Sequence, residues 1–175
     1  IPIGYFSEKI TNHFGDGESF GVKIKYVQSS VEMENGGSFK KAIPQITDDY
    51  FFVTFGDVFF PLDYQDLVKT LIKSGKKALI VACSRPRDLE DHEDKNDLIV
   101  DENNLVIGYD RGNKSNHANM LHGGILLLRK DVLEEDFPDK FKLEEVLFPK
   151  LISEKQLIAF VTKKLPYDIG NVKKM

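Results

Sequence analysis

Three short apolar runs constrain the fold of this chain more than any other feature. They are Phe51-Phe52-Val53-Thr54-Phe55, Ala78-Leu79-Ile80-Val81-Ala82 and Gly124-Ile125-Leu126-Leu127-Leu128. None alternates polar with apolar positions. Strands of this kind are buried on both faces, the condition of a parallel or mixed sheet flanked by helices. Between the first two runs, Leu62 to Ser74 repeats apolar residues at Leu62, Leu67, Leu71 and Ile72, an amphipathic helix ended by Gly75. A short helix around Asp131 to Leu133 follows the third run. Leu143 to Ile152 reads as a helix that Pro149 kinks or divides, and Leu157 to Thr162 as a strand. Towards the start, Ser7 to Phe14 predicts a short helix with Ser7 as N-cap, and Val22 to Val27 alternates as a half-buried strand. Phe39 to Ile46 predicts a further short helix stopped near Pro44, and Asp97–Val100 with Leu105–Tyr109 a hairpin about Asn103-Asn104. Strand–helix–strand units followed by a hairpin point to one three-layer α/β domain over residues 1–175, with a mixed sheet.

Charge and composition narrow the function. The 175 residues carry 24 basic against 28 acidic side chains, a net charge of −4, which gives no electrostatic footprint for nucleic acid or an anionic membrane. No apolar run approaches the about 18–20 residues of a membrane-spanning helix. One cysteine, Cys83, forms no internal disulfide and points to a reducing, cytoplasmic setting. Within its apolar run it reads as a small core residue. Ile1 to Phe6 lack the basic start of a signal peptide and read as the tail of a strand, so the chain is expected to be part of something longer.

Three segments carry candidate chemistry. Phe55-Gly56-Asp57 directly follows an apolar strand, where ligands collect in open sheets; the Asp57 carboxylate there suits a hard cation, or else caps a turn. Tyr167-Asp168-Ile169-Gly170 also follows a strand, and two converging carboxylates would hold one Mg²⁺ whose other positions take phosphate oxygens and water. Glu34-Asn35-Gly36-Gly37-Ser38 precedes the expected Phe39–Ile46 helix. Its glycines would admit a ligand close to the backbone, or simply form a turn.

The order of motifs resembles the sugar-phosphate nucleotidyltransferase family, which joins an NTP and a sugar-1-phosphate to give an NDP-sugar and pyrophosphate. Gly4-Tyr5, Glu8-Lys9-Ile10 and Phe14-Gly15-Asp16-Gly17 look like its GY-x-x-E-x-I…FGDG segment. Phe20-Gly21-Val22-Lys23-Ile24-Lys25-Tyr26 continues the likeness, and Met33 to Ala42 is similar to its LGTGGALKKA loop, which surrounds nucleobase and sugar. Phe55-Gly56-Asp57 resembles the NGD whose Asp binds Mg²⁺, and Tyr167 to Gly170 the late DIG that completes that metal site. The resemblance implies a Rossmann-like αβα fold with a mixed, mainly parallel sheet, the nucleotide-diphospho-sugar transferase fold. It implies Asp57 and Asp168 as catalytic metal ligands. Glu34, Asn35, Gly36, Gly37 and Gly56 fall in its substrate-binding segments. It also places Asp110 and Arg111 at the acidic–basic pair that holds the sugar and its phosphate, and His122 and Gly123 in the sugar pocket. For Asp110 and Arg111 a solvated hairpin end is the competing reading, and for His122 a structural histidine.

Departures qualify the likeness. Phe55 stands where the family often has Asn, Asn35 replaces its usual Thr, and Arg111 a common Lys. The family's opening strand, its Gly-rich GTR loop and the downstream Lys have no counterpart from Ile1 onward, so these residues alone are expected to be nearly inactive. The short form leans towards mannose- or heptose-1-phosphate guanylyltransferase relatives. A non-catalytic nucleotide-sugar-binding or regulatory subunit of the same fold is the alternative. A glycosyltransferase would show a D-x-D motif, which Gly56-Asp57-Val58-Phe59 does not supply. Assembly into a homo-oligomer is left open.

Overall fold

The computed structural model describes residues 1–84, 96–111, 113–134 and 136–170, with Asp168 described through its backbone. The chain divides into two compact units, Ile1–Asp48 with Leu133–Val146, and Asp49–Val132 with Leu147–Met175.

In the first unit, β1 (Pro2–Ile3) is followed by α1 (Ser7–Phe14), at the expected bounds. Ser7 is already helical; the capping position is Phe6, at φ 57°. β1 pairs in parallel with β2 (Val27–Gln28), all that forms of the expected Val22–Val27 strand. The N–H groups of Val22 and Ile24 instead donate to the carbonyls of Gly17 and Asp16, at 3.1 and 2.7 Å, so the Gly15–Gly17 turn takes up this backbone. α2 (Glu34–Ala42) starts ahead of Phe39 and runs into a 3₁₀ turn, Ile43–Gln45, with Pro44 in its first turn. Its buried face is Gly36, Gly37 and Phe39. Phe39 meets Phe137 edge-on at 6.0 Å, and Phe137 stacks on Phe141 at 5.4 Å.

The second unit contains β3 (Tyr50–Thr54), β4 (Val58–Phe59), α3 (Tyr64–Ser74), β5 (Ala78–Cys83), β6 (Leu98–Val100), β7 (Val106–Tyr109) and β8 (Leu121–Arg129). Helix α4 (Leu143–Ser153), cut by the division, leads to β9 (Leu157–Thr162) and β10 (Tyr167–Asp168). α4 is continuous despite Pro149, and the turn after β8 is a 3₁₀ helix, Lys130–Glu134.

The main sheet has the order β3-β8-β5-β9. β8 is antiparallel to both β3 and β5, while β5 and β9 are parallel. Three of the four strands therefore share one direction, and the sheet is mixed, as expected. All six β5 positions are buried, which needs cover on both faces. On one face Leu79, Val81 and Cys83 of β5, with Ile125 and Leu127 of β8, pack with Phe60 and with Leu67 and Leu71 of α3. Each such leucine contributes about 1.5–3 kcal/mol relative to exposure. α3 is oriented by the Asp63 carboxylate, which accepts from the Gln65 N–H at 2.9 Å, and stops at Gly75, φ 66°. On the other face, opposite Ala82, the His122 ring lies 5.7 Å from Phe148 of α4. β3 departs from the expectation of burial on both faces: Phe52 is 36% exposed. Among the described residues β3 pairs with β8 alone, and an apolar run does not distinguish an edge strand from a central one. Among the described residues no helix is long and apolar enough to cross a membrane.

The end of β8 is fastened by Arg129, whose guanidinium donates twice to the Asp131 carboxylate, at 2.7 and 2.6 Å, with Lys77 3.9 Å away. The Arg129 hydrogen bonds hold the Asp131 carboxyl below the ordinary carboxylate range, against the opposing effect of burial. A lowered folded-state value means stability that is present above the unfolded carboxylate's range and lost as pH falls through the folded one. Asp131→Asn is therefore expected to cost about 1 kcal/mol at pH 7. The gap from the unsubstituted protein should close in acid. Urea unfolding of both proteins from pH 7 down to pH 3 measures this; a gap independent of pH would refute it.

A candidate site at paired strand ends

β3 ends in a tight turn, in which the Val58 N–H donates to the Phe55 carbonyl at 3.3 Å and leaves Gly56 and Asp57 exposed at the tip. β4 then pairs antiparallel with β10, Val58 opposite Asp168 and Phe59 opposite Tyr167. The rings of Phe59 and Tyr167 lie 6.1 Å apart, a cross-strand aromatic pair that supports this two-residue ladder. One residue further, the Ile169 N–H donates to the Asp57 carbonyl at 2.9 Å. Two aspartates remote in sequence thus stand on hydrogen-bonded neighbouring backbones. The carboxyl group of Asp168 itself lies outside the described residues. Carboxylate oxygens are hard donors, suited to a cation such as Mg²⁺. Among the described residues no three His, Cys, Asp or Glu side chains gather as a metal set.

The β6–β7 hairpin forms as expected, and Asp110 and Arg111 follow its second strand. The Asp110 carboxylate accepts from both the hydroxyl and the N–H of Ser115, at 2.5 and 2.7 Å, and these bonds hold it below the usual carboxylate range. Part of its accepting capacity is thereby used within its own loop. Arg111 is exposed.

His122 and Gly123 open β8 at an irregularity. Along β5 the register advances from Ile80 to Ala82 while its β8 partners shift from Leu126 to His122, so β8 bulges around Gly123-Gly124. Gly124 has φ +76°, and a Cβ on Gly123 would come within 2.8 Å of the Phe60 ring and 3.0 Å of Val81. Both positions require glycine for these reasons. The half-buried His122 ring stands 6.1 Å from Phe55, beside the Asp57 turn. Tyr109, the neighbour of Asp110, meets Phe148 at 5.3 Å, so rings run in file from the hairpin through α4 and His122 to Phe55.

Glu34, Asn35, Gly36 and Gly37 belong to the first unit and lie inside α2, where a segment ahead of a helix was expected. Their close approach is to the chain itself. A Cβ on Gly36 would sit 2.5 Å from the Phe141 ring, and one on Gly37 2.3 Å from the Asp139 carbonyl oxygen. The Asn35 amide donates to the Glu144 carboxylate at 3.0 and 3.2 Å and accepts from the Leu143 N–H at 3.0 Å, which fastens the start of α4. Glu34 has φ 59°, and its carbonyl accepts from the Ser38 hydroxyl at 2.9 Å.

Sequence reasoning passed over two residues. The Gly123-Gly124 pair within an apolar strand was a signal for the bulge at Gly124. Asp97, whose carboxylate accepts from the His122 N–H at 2.8 Å, carried no such signal.

The model of one protein family, Nucleotidyl transferase, matches residues 4–94, more than half of the chain. The chain belongs to the nucleotidyl transferase family. The match takes in α2 and the Gly56–Asp57 turn; Asp110, Arg111, His122, Gly123 and Asp168 lie beyond it. Over 148 residues the chain is 28% identical to a D-glycero-α-D-manno-heptose 1-phosphate guanylyltransferase of Campylobacter jejuni, covering 84% of this chain and 62% of that protein. Over 171 residues it is 25% identical to an enzyme of the same name from Aneurinibacillus thermoaerophilus, covering 97% and 71%. The crystal structure of HddC from Yersinia pseudotuberculosis shares the fold, with a TM-score of 0.78 at 22% identity over 99% of this chain and 73% of that one. This nucleotidyl transferase thus spans between three-fifths and three-quarters of the length of these three relatives.

Proposed function

We propose that this chain carries the sugar-phosphate and metal side of an NTP:sugar-1-phosphate nucleotidyltransferase, with GTP and a manno-configured sugar-1-phosphate as substrates. A phosphate oxygen of the sugar-1-phosphate attacks the α-phosphorus of the NTP, and the bond from that phosphorus to pyrophosphate breaks. No protein nucleophile is needed for such an in-line transfer; positioning and charge neutralisation do the work. The observation that carries the reading is the hydrogen bond from Ile169 to Asp57, which supports Asp57 and Asp168 as a shared pair of oxygen donors. A Mg²⁺ held by the two would orient the phosphates and neutralise developing charge. Arg111 would meet the sugar phosphate, and Asp110 the sugar hydroxyls, with His122 and Gly123 lining the same pocket. The guanine and the manno-configured sugar come from the names of the two guanylyltransferase relatives. The strand and triphosphate-binding loop implied by the family resemblance belong to the proposal as well.

Two measurements on the full-length gene product test this. Thermal shifts with GTP, ATP, CTP and UTP, each with Mg²⁺, should show the largest rise with GTP, since a ligand stabilises by mass action. Pyrophosphate should be released only when GTP and either mannose-1-phosphate or D-glycero-α-D-manno-heptose 1-phosphate are both present. Stabilisation by GDP-sugar without any release of pyrophosphate would instead support the non-catalytic binding subunit.

A further inference from the structure

The three polar groups of Asp97 reach two segments of the second unit. Its N–H donates to the Met120 carbonyl at 3.0 Å, its carbonyl accepts from the Asp110 N–H at 2.7 Å, and its carboxylate accepts from the His122 N–H at 2.8 Å. The next residue, Leu98, pairs with Tyr109 across the hairpin and bridges to Met120. Asn119 extends the fastening. Its side-chain oxygen accepts from the Val100 N–H and its amide donates to the Val100 carbonyl, at 2.9 and 2.8 Å. The hairpin that ends at Asp110 and the first residues of β8 are thus joined along β6, and Asp97 is the residue in direct contact with both.

The placement matters because of the bulge. At Gly123-Gly124 the regular ladder between β8 and β5 is interrupted, and His122, opposite Ala82, stands where the pairing resumes beyond the break. A carboxylate acceptor aimed at the His122 N–H adds a second tie beside that pairing, and a charged acceptor makes the stronger kind of hydrogen bond. The same residue's carbonyl anchors Asp110 from the other side.

We propose that Asp97 is a positioning residue that sets the spacing between the Asp110–Arg111 and His122–Gly123 halves of the sugar-phosphate subsite. Asp97 acts through its neighbours and does not itself touch substrate. The inference rests on the proposed nucleotidyltransferase reading.

Asp97→Ala removes the side-chain acceptor; Asp97→Asn keeps an oxygen in its place. In the full-length gene product, assayed with GTP and D-glycero-α-D-manno-heptose 1-phosphate, Asp97→Ala should raise KM for the sugar phosphate about tenfold. KM for GTP should stay within about twofold, and Asp97→Asn should restore both. A tenfold change corresponds to about 1.4 kcal/mol of lost positioning. Equal rises in the two KM values, no rise at all, or an Asp97→Asn protein as impaired as Asp97→Ala would each overturn the inference. Amide hydrogen exchange on the same variants decides it independently of turnover. Asp97→Ala should speed exchange at His122 and Asp110 at least about tenfold while Ile80 in β5 stays protected. Unchanged exchange at either amide, or faster exchange at Ile80 as well, overturns the inference. Failure of the unsubstituted protein to release pyrophosphate refutes the nucleotidyltransferase reading, and exchange then decides whether Asp97 ties the two segments together.

Discussion

Asp57→Asn is expected to lower pyrophosphate release by the full-length gene product at least about a thousandfold, or about 4 kcal/mol of transition-state stabilisation. The fold should be untouched. Asp57 is exposed at the tip of the turn after β3, and that turn is closed by backbone groups, Val58 to Phe55 and Ile169 to Asp57. The amide that replaces the carboxylate has the same shape, and a substitution at such a place changes stability by no more than about 0.5 kcal/mol. What it loses is charge and one hard oxygen. A melting curve alongside a pyrophosphate-release assay separates the two effects. Full turnover in the variant would remove Asp57 from the mechanism, and a collapsed melting curve would mean that the turn depends on the carboxylate after all.

Gly37→Ala is expected to destabilise the protein by about 2 kcal/mol, although alanine is the better helix former by about 1 kcal/mol. The sign is decided by what the new methyl group meets. An added Cβ would come within 2.3 Å of the Asp139 carbonyl oxygen and 3.0 Å of Met33 Cβ. The first of these is a backbone atom and cannot swing aside, so α2 would have to move off the 137–141 segment it packs on. Gly56→Ala provides the comparison, because nothing lies within 4 Å of its added Cβ and its φ is not positive. Its unfolding midpoint in urea should stay near that of the unsubstituted protein. Equal midpoints for all three proteins would show that α2 accommodates the methyl group freely.

Legibility in the sequence followed how local the cause was. α3 is written in its apolar spacing and its Gly75 stop, though its start at the Asp63 cap was not; β5, β9 and the β6–β7 hairpin were readable from short-range patterns. α2 was misplaced because two successive glycines argue against a helix on propensity. The packing of their bare faces on Phe141 and Asp139, a hundred residues on, overrides that preference. The partial exposure of β3 depends on how many partners it has, a property of the sheet and not of the strand. Asp57 and Asp168 were singled out and paired as strand-end carboxylates, and the family resemblance gave the same pair. The Gly123-Gly124 pair signalled the β8 bulge, whereas the role of Asp97 depends on contacts made across the unit, which no spacing along the chain reveals.

The place of β8 in the sheet has a consequence for how the nascent polypeptide matures. β3 and β5 have no hydrogen-bonded contact with each other; β8 runs between them, and the other partner of β5, β9, comes later still. As the ribosome extends the chain, both apolar strands emerge long before the segment that joins them. Sheet closure waits for distant pairings, which are slow to form and leave sticky edges open in the meantime. Tyr50–Thr54 and Ala78–Cys83 thus leave the ribosome ahead of the strand that pairs with both, and the sheet closes only once Leu121–Arg129 has emerged.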